Sequence, residues 1–182
     1  MVDPPDVLPA EVVAYTIEHG GPAEAGRLRQ IERSAGARFR EIGMGYIADG
    51  DPTPATILED RAQNHRLIVA RDDNGRTAGF LIWSPKDGKA YIEEVAVDPD
   101  HAGHKLASKM IDRLCGDVAE QFGLISLATF RDVPWNAPYY ARLGFVEHDR
   151  ATLGPEHEAS WQAQSEYLDM SRRLFMTREI RA

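Results

Sequence analysis

The chain has 182 residues, 43% of them apolar and 27% charged, a size and balance that suit one globular domain. A formal net charge of −8, from 29 acids against 21 Lys and Arg, argues against a surface that coats nucleic acid and suits a cationic substrate. No run approaches the ~18 unbroken apolar residues of a membrane helix, and a lone cysteine, Cys115, leaves no internal disulfide framework.

The opening MVDPPDVLPAEVV holds acids and prolines rather than a basic cluster before an apolar run, so it does not read as a secretory signal. A cytoplasmic protein is expected. Residues 1–10 are expected to be flexible and residues 11–182 to form a single domain. Val12 to Ile17 reads as a strand stopped by Gly20 and Gly21. Pro22 then suits a first helical turn, and Ala23, Leu28, Ile31 and Ala35 recur on one helical face. A short second helix is read at residues 37–42, a loop at 48–54, and a helix from Pro54 to Asn64 capped by Thr53.

Strands follow at Leu67–Ala70, Thr77–Ser84 and Ala90–Val97, divided by turn residues at 72–75 and at Asp87-Gly88. Leu106, Met110, Ile111, Leu114 and Val118 mark a long amphipathic helix ended by Gly123. Leu124–Thr129 reads as a strand, Asn136–Leu143 as a short helix closed by Gly144, and a strand starts at Phe145. Residues 155–169 read as a surface helix and Arg173–Ile180 as a last strand. This order predicts an α/β fold: one mixed sheet of six or seven strands with helices on both faces.

A first chemical signal follows the strand Ala90–Val97. A tight turn opens a helix at about Gly103-His104, where free N–H groups and the helix dipole make an anion site. Small residues Ala102, Gly103 and Ala107 let a phosphate approach the backbone, and His104, Lys105 and Lys109 add positive charge. An ordinary strand-to-helix connection is the alternative reading of that segment alone.

VAVDPDHAGHKLASKMI (95–111) resembles motif A of the GNAT acetyltransferase superfamily, whose pyrophosphate loop reads Gln/Arg-x-x-Gly-x-Gly/Ala. Those positions fall on Ala102, Lys105 and Ala107, so the chain departs from the pattern at Ala102 and Lys105. TFRDVPWNAPYYARLGF (129–145) resembles motif B of the same superfamily. The resemblance spans about Val12 to Ile180 and implies a splayed strand pair filled by the pantetheine arm of acetyl-CoA. It implies that Val95, Ala96 and Val97 line that arm and that the backbone of Ala102, Gly103, His104, Lys105, Leu106 and Ala107 holds the pyrophosphate. By the same resemblance Asn136 contacts pantetheine, Tyr140 protonates the departing thiolate, and the amine attacks directly in a ternary complex.

The amine needs a base, and Glu93 and Glu94 are the candidates. As neighbours in a strand they point to opposite faces unless a bulge intervenes. Glu93, expected to share a face with Tyr91, Val95 and Val97, is slightly favoured over Glu94, expected beside Ile92 and Ala96. The resemblance also sets an acceptor wall in which Phe39, Arg40, Arg131, Asp132 and Trp135 are candidate substrate residues. Arg40 or Arg131 would suit a carboxylate, and Asp132 an ammonium. Trp161 and Tyr167 are read as covering the cleft or serving a homodimer contact.

Cys115 reads as a core cysteine, and the six histidines show no compact metal pattern, so no metal is expected. The expected activity is N-acetyl transfer to a small-molecule amine, without nucleic-acid or membrane partners. The alternatives are a protein acetyltransferase, acting on N-termini or lysines, and a non-catalytic acyl-CoA-binding regulatory module.

Overall fold

A computed structural model describes residues 14–180. Its seven strands are β1 (Thr16–His19), β2 (Leu67–Arg71), β3 (Thr77–Lys86), β4 (Lys89–Val97), β5 (Leu124–Phe130), β6 (Val146–His148) and β7 (Arg173–Glu179). They form one sheet in the order β1-β2-β3-β4-β5-β7-β6, antiparallel except where β4 meets β5. The six α-helices are α1 (Ala25–Gly36), α2 (Gly45–Ala48), α3 (Ala55–Gln63), α4 (Leu106–Val118), α5 (Ala137–Arg142) and α6 (Pro155–Gln164). This is the mixed α/β layering that the alternation of strand and helix signals requires.

The apolar periodicities decide which face each helix covers. Leu106, Met110, Ile111, Leu114 and Val118 of α4 bury against Ile68, Leu81, Ile92 and Ile125 on one side of the sheet. Leu28 and Ile31 of α1 and Leu58 of α3 bury against Val69, Phe80 and Ile82 on the other. At about 25 cal/mol per Å² of apolar surface, these two layers supply the main drive for folding.

Several expectations need correction. The first strand runs from Thr16 to His19, later than the Val12–Ile17 segment, of which residues 12 and 13 lie outside the described residues. Thr53 does not cap α3; Pro54 holds that position, while the Thr53 N–H and hydroxyl both donate to the Glu32 carboxylate, at 3.0 and 3.1 Å. The segment 37–42 is a 3-10 helix ended by Gly43 at φ 75°.

The helix at 155 lies at the surface but buries two side chains. His157 and Trp161 of α6 are buried, with Trp161 against Tyr91 and Phe175. His157 bridges the sheet: its Nδ1 meets Asp87 Oδ2 at 2.7 Å and its Nε2 meets the buried Ser126 hydroxyl at 2.9 Å. That chain of hydrogen bonds ties the β3–β4 turn and β5 to the start of α6. The sequence signals missed it because a single buried histidine and a single tryptophan one turn later leave no continuous apolar stripe.

Candidate active site

The pairing of β4 with β5 is short. Ala90, Tyr91 and Ile92 face Ile125, Ser126 and Leu127, and there the ladder ends. From Glu93 onward β4 follows β3 alone, while β5 from Ala128 onward follows β7. A wedge therefore opens between the C-terminal halves of two parallel strands.

A bulge orients the two glutamates beside this wedge. Ile82 and Trp83 of β3 oppose Glu94 and Ile92, which leaves Glu93 as the extra residue of β4. The alternation of side chains reverses there. Val95 and Val97 pack on the α4 side with Ala90 and Ile92, whereas Glu94 lies across from Ile82 and Ala96 packs with the α1 layer. The expected grouping of Glu93 with Val95 and Val97, and of Glu94 with Ile92, is thus overturned.

The two carboxylates have different surroundings. Glu93 accepts two hydrogen bonds from Arg61 of α3, from Nε at 3.1 Å and Nη2 at 2.9 Å, and its negative charge is neutralised there. Glu94 has no cationic partner among the described residues and accepts only the Val95 N–H, at 3.1 Å. Burial and the nearby negative charge of Glu32 push its pKa up to about 8. Burial also raises Glu32, against the two bonds from Thr53 that lower it. Sequence reasoning missed Glu32, which sits on the partly apolar face of α1 and carries no motif.

The Asp98 N–H donates to Ala78 of β3 at 2.8 Å. By strand alternation the N–H groups of Val95 and Val97 turn the other way, into the wedge. Tyr140 enters from the opposite side. It packs with the α4 layer, edge-on to Phe145 at 5.6 Å between centroids, on the helix that follows β5. Burial, with the charge of Glu94, raises its pKa, so the phenol keeps its proton. The side-chain amide of Asn136, at the start of α5, makes no hydrogen bond among the described residues.

Past β4, the chain turns through a short 3-10 helix (Pro99–His101) into α4. The first α4 hydrogen bond runs from Lys109 N–H to the Lys105 carbonyl, at 3.0 Å. The N–H groups of residues 103–107 find no backbone acceptor among the described residues, while that of Ala102 is used by Pro99, at 3.1 Å. Ala102 is therefore not a free donor. α4 begins at Leu106, later than Gly103-His104, with Lys105 as its N-cap in the left-handed region at φ 57°, ψ 29°. Any side chain other than glycine is strained there by about 1–2 kcal/mol. The loop's far side is braced by Tyr15, whose hydroxyl meets His101 Nδ1 at 2.8 Å and whose ring lies 5.1 Å from that of His104.

A wedge with inward N–H groups, followed by a helix start with free N–H groups, fits a long thioester cofactor with a diphosphate. The comparisons agree. The model of the acetyltransferase (GNAT) family matches residues 32–145. The chain belongs to the GNAT acetyltransferase family. A GNAT-family acetyltransferase of Staphylococcus aureus Mu50 superposes with a TM-score of 0.69 at 16% identity, covering 92% of this chain and 100% of that one. N-acetylglutamate synthase of Neisseria gonorrhoeae, solved with coenzyme A and N-acetyl-glutamate, gives 0.70 at 11% identity, over 95% of this chain and 37% of that one. The ribosomal-protein-S18-alanine N-acetyltransferase of Escherichia coli gives 0.63 at 18% identity, over 93% and 96%. At these identities the likeness speaks for the fold.

The expected substrate residues divide. Phe39 and Trp135 come together, 5.5 Å between centroids, with Phe39 6.0 Å from Phe130 and the Arg38 guanidinium 3.7 Å over Trp135. The three candidate charges are already paired. Arg40 is bound to Asp49 at the rim of a surface depression of about 430 Å³ that includes none of Glu94, Tyr140 or Trp135. Arg131 donates twice to Glu147, both at 2.7 Å, and Asp132 pairs with Arg172 at 2.8 Å. Cys115 is half-buried and its sulfur accepts from Arg178 Nη2 at 3.0 Å.

Proposed function

We propose that this acetyltransferase acetylates the amino group of a small molecule, with Glu94 as general base and Tyr140 as general acid. Acetyl-CoA supplies the activated acetyl group. The observation that carries the reading is the placement of Glu94 and Tyr140 on opposite sides of the wedge between β4 and β5.

Glu94 is the better base because Glu93 is held by Arg61. A carboxyl with a pKa of about 8 accepts a proton from an alkylammonium, of pKa ~10, far more readily than an ordinary one. A cationic amine entering between Glu94 and Glu32 would favour ionised Glu94, since it offsets the charge that had raised the pKa. Once the Glu94 carboxylate has taken the proton from nitrogen, its negative charge is gone. That charge was one cause holding Tyr140 high, so the phenol becomes a stronger acid as the sulfur leaves. Tyr140 Oη then gives its proton to that sulfur, and the Val95 N–H is free to turn from Glu94 to the thioester oxygen. The amine attacks the acetyl carbon directly, with no acyl-enzyme.

The N–H groups of residues 103–107 would take the diphosphate, with Lys105 adding charge, and Asn136 would hold the amide groups of the arm. A small acceptor is supported by the roof over Glu94. α1 lies on that face, and Trp161 of α6 closes over Tyr91 and Phe175 beside it.

Acetylation of an amine panel, with product detection by mass, tests the activity. In the same assay Tyr140→Phe should lower kcat by roughly 10²-fold or more while leaving the Kd for acetyl-CoA within about twofold. An equal kcat would remove Tyr140 from the acid role.

A further inference from the structure

Arg173, like Arg29 of α1 whose Nε is also buried without a partner, differs from several other half-buried arginines. Arg27, Arg61, Arg71 and Arg178 each meet a carboxylate, on Asp98, Glu93, Glu24 and Asp112 respectively. Arg173 forms no ion pair among the described residues. Its Nη2 donates to Gln164 Oε1 of α6 at 2.6 Å, and its guanidinium lies 4.7 Å over the Phe130 ring. Its Nε is buried and has no hydrogen-bond partner.

The register shows what this group faces. Phe130 and Arg173 are a cross-strand pair, and Ala128 pairs with Phe175, so these side chains leave one face of the sheet. Phe175 packs with Tyr91 on that face, and the bulge at Glu93 turns Glu94 to it as well. Glu94 on β4 and Arg173 on β7, the strand beyond β5, thus share the sheet face that carries Tyr91 and Phe175. Gln164, which holds Arg173, also donates to the Tyr91 hydroxyl at 3.4 Å. Burial lowers the pKa of Arg173, which nonetheless stays charged at any pH the enzyme would meet.

A buried guanidinium with an unpartnered N–H and no counter-ion is costly unless a ligand supplies the anion. Its planar fork suits a carboxylate, offering two parallel donors. A carboxylate's single negative charge matches one guanidinium. On the same face the buried Glu94 carboxyl, with Glu32 near it, suits an ammonium, whose charge favours the ionised carboxylate.

We infer that Arg173 is a specificity residue that holds a carboxylate on the acceptor, so that the enzyme's substrates are amines carrying a carboxylate, as free amino acids do. The inference rests on the acetyltransfer reading above. The amino group would face Glu94 while Nε of Arg173 and one of its terminal nitrogens grip the carboxylate. Arg40 and Arg131, the sequence candidates for this task, already carry exposed acidic partners, whereas Arg173 carries none among the described residues.

The test compares kcat/KM for free amino acids with that for the same compounds as carboxamides. The wild-type enzyme should prefer the acids by about 10- to 100-fold, the range expected for a charge-assisted pair. In Arg173→Gln the KM for the acids should rise by a similar factor with kcat less affected, so that the acid-to-amide ratio falls toward one. Arg173→Lys keeps the charge without the fork and should retain part of the preference, which guards against loss of folding in the Gln variant. A wild-type enzyme that uses acids and amides equally well would overturn the assignment. So would an Arg173→Gln variant that loses both in proportion. Turnover of neither set would instead overturn the acetyltransfer reading itself.

Discussion

Replacing Glu94 by Gln should stabilise the protein in alkali while removing its activity. In the unfolded chain the carboxyl titrates near 4.5, and in the folded protein near 8. Between those values the folded state keeps a proton that the unfolded state has released. Stability therefore falls as pH rises, by up to about 1.4 kcal/mol per pH unit. Over the whole interval one fully dry group would cost about 5 kcal/mol, and water reaching the wedge brings this nearer ~3 kcal/mol. The Gln variant has no such proton to lose. Urea denaturation of both proteins at pH 5 and pH 9 isolates the effect, because titrations elsewhere cancel in the difference. The stability of Glu94→Gln relative to wild type should improve by roughly 3 kcal/mol from pH 5 to pH 9. At pH 9 its kcat should sit about 10²- to 10⁴-fold below wild type, and the gap should narrow toward pH 5, where the wild-type Glu94 is protonated. A stability difference that stays constant with pH would show that Glu94 is an ordinary exposed carboxylate and would refute the base assignment with it.

Glu32→Gln removes the like charge that helps raise Glu94, so the alkaline-rising limb of kcat/KM, expected near pH 8, should move to lower pH; an unmoved limb would mean the two carboxylates do not communicate. Lys105→Gly relieves the left-handed strain but gives the unfolded chain more freedom, and the balance should be a gain of about 0.5–1 kcal/mol, or roughly 2 to 4 °C in Tm per kcal/mol. Lys105→Ala keeps the strain and should match wild type in melting, so a weaker grip on acetyl-CoA in both variants would report the lost ammonium alone. Asp87→Ala strips the buried His157 of its Nδ1 partner and should cost about 2–3 kcal/mol, with kcat per folded molecule unchanged; a fall in kcat would give α6 a part in catalysis. Burial lowers His157 below its usual value near 6.5, so the unfolded chain gains a proton first on acidification and the His157 contribution to stability shrinks as pH drops below ~6.5.

Much of this protein is decided along the chain itself. The apolar spacing of Leu106 to Val118 fixes α4 and the face it buries, and the stop at Gly123 fixes the start of β5. The strand, turn and helix succession around residues 95–111 marks an anion loop before any packing is known, since free N–H groups at a helix start follow from the helix alone. What the sequence could not decide are the effects of residues far apart in it. Whether Glu93 or Glu94 faces the wedge depends on a single extra residue in the β3–β4 ladder, and a bulge is a property of two strands in register. Glu93 is taken by Arg61, Glu94 is raised by burial and by Glu32, and Arg173 shares the sheet face of Glu94 only because β7 inserts between β5 and β6. Charge and burial are set by neighbours in space. Local pattern yields the elements and the free N–H groups before α4, and the assembled sheet selects which carboxylate is paired and which is buried alone.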